Sequence, residues 1–187
     1  MNLGFDIDGV ISNFTGRFCA IIEERYGARL ESTDMYSYDV NLVLGVPKEE
    51  VAEIVVETLK SDLPLNPLAK RTIDQLVADG HSIYLLTARS KSMANYTLNW
   101  LSRKGIVYKD IYHFAIGHKC STKVPLDLVV EDNLDEALEL TKKVKHVLIY
   151  DQPWNKTKNV KKLLKRVHSW PEIYQEVQRV AAKAAPA

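Results

Sequence analysis

Two carboxylates stand two residues apart near the N-terminus, in Asp6-Ile7-Asp8-Gly9. On an extended chain residues i and i+2 project to the same face, so both acids leave one side of a short strand together. Acids packed this closely at a strand end repel each other unless a cation neutralises them or one keeps a proton. A hard, oxygen-seeking ion such as Mg²⁺ suits such a pair. A helix N-cap or an acidic turn also accounts for a lone pair of this kind. A calcium loop does not. Counted from Asp6, the glycine and glutamate such a loop requires would fall on Ile11 and Arg17.

Three further groups carry chemistry. Thr87-Ala88-Arg89 follows an apolar run and precedes Ser90 and a helical pattern. There a hydroxyl, backbone N–H groups and a helix N-terminus suit a phosphate oxygen, although Ser and Thr caps are common on any helix. Glu131-Asp132-Asn133 is a second acidic pair beyond an apolar run. Neighbouring side chains on a strand point oppositely, so one of the two reaches an ion directly, and plain helix capping remains open. Lys119 or Lys123 lies between these groups, where a lysine neutralises a carboxylate and a phosphate together. Each group is weak alone. Their order, with each just beyond a different apolar run, is more specific.

Those runs are Leu3–Ile7, Ser82–Thr87, Ile111–Ile116, Leu126–Val130 and His146–Tyr150. They are short, rich in β-branched and aromatic residues, and bounded by breakers, as buried parallel strands are. Helical patterns alternate with them over Ala69–Ala78, Met93–Arg103, Asp135–Lys143 and Pro171–Ala184. The succession predicts an α/β fold with a doubly wound parallel sheet, whose ligands gather outside the carboxyl ends of the strands. One interval is too long. About 75 residues separate the first two strands, whereas a crossover unit needs about 30. The surplus holds helical patterns at Phe14–Tyr26 and Lys48–Leu59 and ends at Leu63-Pro64-Leu65-Asn66-Pro67. This predicts a core of residues 1–13 and 67–187 with a small helical cap of residues 14–66 inserted after the first strand.

The chain has 187 residues, 46% hydrophobic and 26% charged, with a formal net charge of +1. That composition predicts one globular domain with a sizeable core and no overall field toward nucleic acid or an anionic membrane. The longest apolar run is five residues, Phe18–Ile22, far short of the ~20 that span a bilayer. The opening Met-Asn-Leu-Gly-Phe-Asp, with no charged head before a long apolar stretch, predicts no secretory signal, and two cysteines as far apart as Cys19 and Cys120 predict neither a disulfide framework nor a zinc cluster. The expectation is a cytoplasmic protein. Residues 142–166 hold nine Lys or Arg against Asp151 alone. A solvated helical face accounts for them more simply than nucleic acid does.

The set Asp6-x-Asp8-Gly9-Val10, Leu86-Thr87-Ala88-Arg89, Lys119/Lys123 and Glu131-Asp132 resembles the four motifs of the haloacid dehalogenase superfamily, many of whose members carry a helical cap after the first motif. Within it, the string from Asp6 to Phe14, Tyr150-Asp-Gln-Pro-Trp-Asn155 and Arg166-Val-His-Ser-Trp170 resemble the 5'(3')-deoxyribonucleotidase (type C) family and its bacterial relatives. The resemblance implies a Mg²⁺-dependent phosphomonoesterase. Asp6 would be the nucleophile that forms an aspartyl-phosphate, and Asp8 the general acid and base. Mg²⁺ would be held by the Asp6 carboxylate, the Asp8 backbone carbonyl and Asp132, with Glu131 acting through water. Thr87 and one lysine, Lys119 in preference to Lys123, would hold the other phosphoryl oxygens, and Ala88 and Arg89 would line the phosphate site, with pairing to an acid the other reading of Arg89. Asn13 stands where the family often carries Asp. The cap would choose the substrate, a small-molecule phosphate ester and in this family a nucleoside monophosphate. Phe14, Phe18, Tyr36 and Tyr38 offer aromatic faces for its base, although the spacing of Phe18 with Ile21 and Ile22 also fits a cap core. A phosphatase or phosphomutase for a sugar or other metabolite phosphate, and a binding protein on a disused scaffold, are the alternatives.

Overall fold

The N-terminal segment Asn2–Phe5 forms strand β1, and its central position organises the rest of this computed structural model, which describes residues 1–27, 29–35, 45, 47–156 and 164–184. After β1 come helices α1 (Phe14–Tyr26), α2 (Lys48–Lys60) and α3 (Ala69–Ala78), then β2 (Ser82–Thr87), α4 (Ala94–Lys104), β3 (Asp110–His113) and β4 (Leu128–Glu131). Helix α5 (Leu134–Leu140), β5 (His146–Tyr150), β6 (Lys165–Val167) and α6 (Trp170–Ala184) complete the chain order. The sheet runs β3-β2-β1-β4-β5-β6 with every pairing parallel. The chain winds outward from β1 on one side, then returns past it to build the other side. The crevice beyond the carboxyl ends of β1 and β4 is therefore a topological switch point.

Strand periodicity decides which side chains meet which layer. Ile83 and Leu85 of β2 join Leu3, Phe5, Leu128 and Val130 in the main core. Trp100 of α4, Ile73 and Leu76 of α3, and Trp170 and Val177 of α6 close over them. Tyr84 and Leu86, the alternate residues, face Val129, Val147 and Ile149 and are covered by Ala137 and Leu140 of α5. Gly4 in β1 sits under this second layer, where an added Cβ would come within 3.1 Å of Leu126 and Val129. A side chain there would push the strand away from its cover.

Helices α1 and α2 share a third cluster built on Phe18, Cys19, Ile21, Ile22 and Ile54, with Met35 beside them. Asn13 starts α1 by accepting a hydrogen bond from the Gly16 amide, and Gly27 ends it in the left-handed conformation with φ of 65°. Helix α4 stops in the same way at Gly105.

Three expectations about elements need correction. A sixth strand, Lys165–Val167, extends the sheet. It is too short and too basic to stand out by composition. The third strand ends at His113 rather than Ile116, because the chain turns at Gly117 (φ 82°) and leaves Ile116 69% exposed. Helix α5 ends at Leu140, three residues before the expected Lys143.

Candidate active site

The loop after β1 is tied down by its own backbone. The Asp6 amide donates to the Val130 carbonyl, Ile11 and Ser12 amides both donate to Ile7, and Gly9 donates to Ser12. Asn66 closes it from outside with Nδ2 donating to the carbonyls of Gly9 and Val10, and Trp170 Nε1 also reaches Val10. Gly9 has φ of 86°, and a Cβ there would lie 1.9 Å from Asp132 Oδ2. Glycine is required on both counts, conformation and contact. This close approach brings the loops after β1 and β4 together.

Lys119 Nζ donates to Asp6 Oδ1 at 2.6 Å and to Glu131 Oε2 at 2.8 Å, and all three residues are buried. Carboxylate oxygens of Asp6, Glu131 and Asp132 lie within 4.8 Å of one another. Glu131 is further held by the amides of Asp132 and Asn133 on Oε1. Among the described residues, no donor reaches the Asp132 carboxylate. Three acids thus face one ammonium, which leaves two negative charges uncompensated when all are ionised. Burial, opposed by Lys119 and reinforced by Glu131 and Asp8, pushes the Asp6 carboxyl up to about 8. Burial together with Asp6 and Glu131 holds Asp132 well above the ordinary carboxylate range. Burial works against the charge of Lys119, yet Asp6 and Glu131 keep its ammonium well above the usual lysine range. A buried cluster of this kind is stable at neutral pH with protons or with a further cation. Its oxygen-only donors and its surplus of two charges fit a hard divalent ion such as Mg²⁺.

Asp8 points elsewhere. Its carboxylate accepts from Arg89 Nε and Nη2, each at 2.7 Å, and from Ser12 Oγ at 2.9 Å. Arg89 is 4% exposed, also donates to Thr97 Oγ1, and lies 5.4 Å from the Trp100 ring. The Asp8 side chain is therefore outside the acidic cluster and beside it. Thr87 is buried at the end of β2 and accepts from the Arg89 amide.

A cavity of about 260 Å³ opens over these groups. Asp6, Asp8, Ala88, Arg89, Lys119 and Asp132 form its polar floor, with Gly9 between them. Phe14, Met35, Val55, Leu59, Ile116 and Trp154 supply an apolar wall. The structure separates the two lysines: Lys119 is in the floor, whereas Lys123 is exposed and outside this lining. Phe18 does not line the cavity. It is fully buried behind Phe14, their ring centroids 5.8 Å apart, because its position on α1 turns it into the α1–α2 core. Its expected contact with substrate is corrected to a packing role. Tyr36 and Tyr38 lie outside the described residues.

Several contributors escaped the sequence. Met35, Val55, Leu59, Ile116 and Trp154 carry no chemical signature on their own. Glu136 was hidden by the Asn133-x-x-Glu136 pattern, which reads as a helix start. Asn133 does cap the helix by accepting from the Glu136 amide. The Glu136 carboxylate, however, accepts from the amides of Gly117 and Lys119 at 2.5 and 3.2 Å and so fixes the loop that carries Lys119. In the basic stretch, Lys142 pairs with Glu139, Lys165 with Glu176, and Lys156 and Arg166 with Asp151. No helix among the described residues is long and apolar enough to cross a membrane.

Comparison with known proteins places this arrangement. Residues 1–185 match the family model of the "5' nucleotidase, deoxy (Pyrimidine), cytosolic type C protein". A nucleotidase of Clostridium acetobutylicum is 30% identical over 189 aligned positions, covering 98% of this chain and 97% of that protein. YqfW of Bacillus subtilis is 25% identical, covering 94% and 92%. Among solved structures, a haloacid dehalogenase-like hydrolase of Streptococcus pneumoniae superposes with a TM-score of 0.65 at 11% identity, covering 95% of this chain and 98% of that one. A haloacid dehalogenase family hydrolase of Deinococcus radiodurans, solved with bound phosphate and sodium, gives 0.64 at 13% identity, covering 96% of each. Those two share the fold. From its first strand to its last helix, the chain belongs to the type C 5'-nucleotidase family, on a fold shared with haloacid dehalogenase-like hydrolases, and is a phosphoric monoester hydrolase.

Proposed function

We propose that the enzyme is a Mg²⁺-dependent phosphomonoesterase that removes phosphate from nucleoside monophosphates through an aspartyl-phosphate on Asp6. The observation that carries this reading is the Asp6 carboxylate, anchored through Oδ1 by Lys119 on the floor of the cavity, with the Asp8–Arg89 pair beside it. Asp6 attacks phosphorus, and the bond from phosphorus to the ester oxygen breaks. Asp8 delivers a proton to the departing alkoxide, then takes one from the water that cleaves the acyl-phosphate. Lys119, the Thr87 hydroxyl and the Ala88 backbone receive the phosphoryl oxygens. Asp6, Asp132 and the Asp8 carbonyl would hold Mg²⁺, with Glu131 behind them. The ion would supply positive charge to the transferring group.

The apolar wall supports a nucleobase over a sugar, since it includes the aromatic side chains of Phe14 and Trp154. Residues 14–66 act as the substrate-selecting cap on a core of residues 1–13 and 67–187. The Asn13 amide donates to the Pro64 carbonyl, and Ser12 bridges to Leu65, so both ends of this insertion leave the core side by side. The family description supports a cytosolic location. Phosphate release from a panel of deoxynucleoside and ribonucleoside monophosphates, sugar phosphates and an aryl phosphate tests the assignment. A clear preference for nucleotides supports it. Equal or better turnover of sugar or aryl phosphates overturns it.

A further inference from the structure

We propose that Asn155, braced by Arg166, is a positioning residue for the divalent ion. Together with Gln152, it clamps the loops after β1 and β4 in the register that the ion requires. The inference rests on the reading above that Asp132 is a metal ligand.

Asn155 ends the short turn Pro153–Asn155 after β5 and is fully buried. Its Nδ2 donates to the Asp132 carbonyl and to the Tyr150 carbonyl, each at 2.8 Å. Its Oδ1 accepts from Arg166 Nη1 at 2.5 Å and from the Gln152 amide at 3.2 Å. Both amide protons and both lone pairs are used, so the side chain has one satisfied orientation. Arg166 Nη2 also donates to the Asn155 carbonyl at 2.7 Å, and Nη1 to Asp151. Gln152 Nε2 reaches the Gly9 carbonyl at 2.7 Å.

The bonds to Tyr150 and Gln152 are local and would shape the turn without any help to the site. The bond to Asp132 is not local. It crosses 23 residues and fixes the main chain of the acid whose carboxylate, among the described residues, accepts from no donor. The Gln152 bond fixes Gly9, whose Cα faces that same carboxylate. One turn therefore grips both loops at the place where they touch. Partners that orient a ligand's neighbours set metal affinity even though they never touch the ion.

The test uses Mn²⁺ as the probe, with free ion measured by electron paramagnetic resonance, on the full chain and its N155A, Q152A and D132N variants. Far-UV circular dichroism establishes which variants fold. Asn155→Ala is expected to weaken Mn²⁺ binding about 10–100-fold, and phosphatase turnover should recover as metal is raised. A role confined to folding would lower the melting temperature and leave the affinity alone. A folded N155A that binds Mn²⁺ within about threefold of the parent, well below the ~10-fold expected of such a partner, overturns the proposal. If N155A does not fold, Q152A decides by the same threshold, because half-buried Gln152 can be truncated while Asn66 still serves Gly9. Asp132→Asn separates the two layers of inference. Unchanged Mn²⁺ affinity in D132N removes the underlying reading. Lost affinity in D132N beside unchanged affinity in N155A overturns the clamp alone.

Discussion

Replacing Lys119 with Met keeps the length of the side chain and removes the only cation in contact with Asp6 and Glu131 among the described residues. Lys119 is 3% exposed, and its two contacts are 2.6 and 2.8 Å. Removing one partner of a buried ion pair costs about 3–5 kcal/mol, because the abandoned charge has no water to turn to. Two carboxylates are abandoned here, which places the expected loss at the upper end. For a chain of this size that is a fall in melting temperature on the order of 10 °C. The deficit has a pH signature. It is fullest above pH 8, where Asp6 is ionised, and shrinks as pH falls and Asp6 takes up its proton. A divalent ion should also reduce it, since the ion meets the same surplus charge. Thermal melts of parent and K119M in chelator, above and well below pH 8, then with Mg²⁺, measure all three effects. Equal melting of the two proteins in chelator above pH 8 would refute the reasoning.

Other expectations follow from the same geometry. Asp6→Asn should lower phosphate release by at least ~10³-fold while the chain stays folded, which a phosphate-release assay beside a melt reads directly. The native Asp6 pKa of about 8 lies above the ordinary 3.8, so between those values the folded chain binds more protons than the unfolded one. The Asp6 contribution to stability is then present at low pH and lost as pH rises through 8. In urea titrations without metal, the parent should lose ground to D6N across that window, and a constant gap between them contradicts it. Arg89→Lys keeps the charge and loses the two-pronged contact with Asp8, so kcat should drop on the order of 10²-fold at near-constant melting temperature. An unchanged kcat would show that the contact is incidental. Phe14→Ala should raise KM for nucleotides by roughly 5- to 150-fold, the equivalent of about 1–3 kcal/mol of stacking, and leave a small aliphatic phosphate unaffected. Parallel rises for both would place Phe14 in packing alone.

The parts of this molecule that were legible in sequence are those with a local cause. Phe14–Tyr26 and Ala69–Ala78 form helices over the expected residues because their apolar spacing and their flanking Gly27 and Asp79-Gly80 are local signals. Asp6, Asp8, Glu131 and Asp132 stand out in the sequence because each is an acid at or just past the end of an apolar run. What could not be read depended on distant partners. Lys119 and Lys123 differ only in which one the Glu136 carboxylate turns inward, and that hydrogen bond crosses 17 residues. Phe18 and Phe14 share a face pattern, and only the packing of α2 decides that one is core and the other cavity wall. Arg89 was open between phosphate and acid, and its contact with Asp8 spans 81 residues. The strand Lys165–Val167 is short and basic, and it is a strand because β5 is beside it.

Catalysis as proposed requires that Asp6 and Asp132 share a divalent ion while Asp6 faces phosphorus. A crystal structure of the enzyme with Mg²⁺ and beryllium fluoride, a mimic of the transferred phosphoryl group, tests it most directly. The expected density shows beryllium bonded to an Asp6 carboxylate oxygen and Mg²⁺ ligated by both Asp6 and Asp132, with Lys119 on the fluorides. An ion bound away from Asp132, or a fluoride complex held without a bond to Asp6, would contradict it.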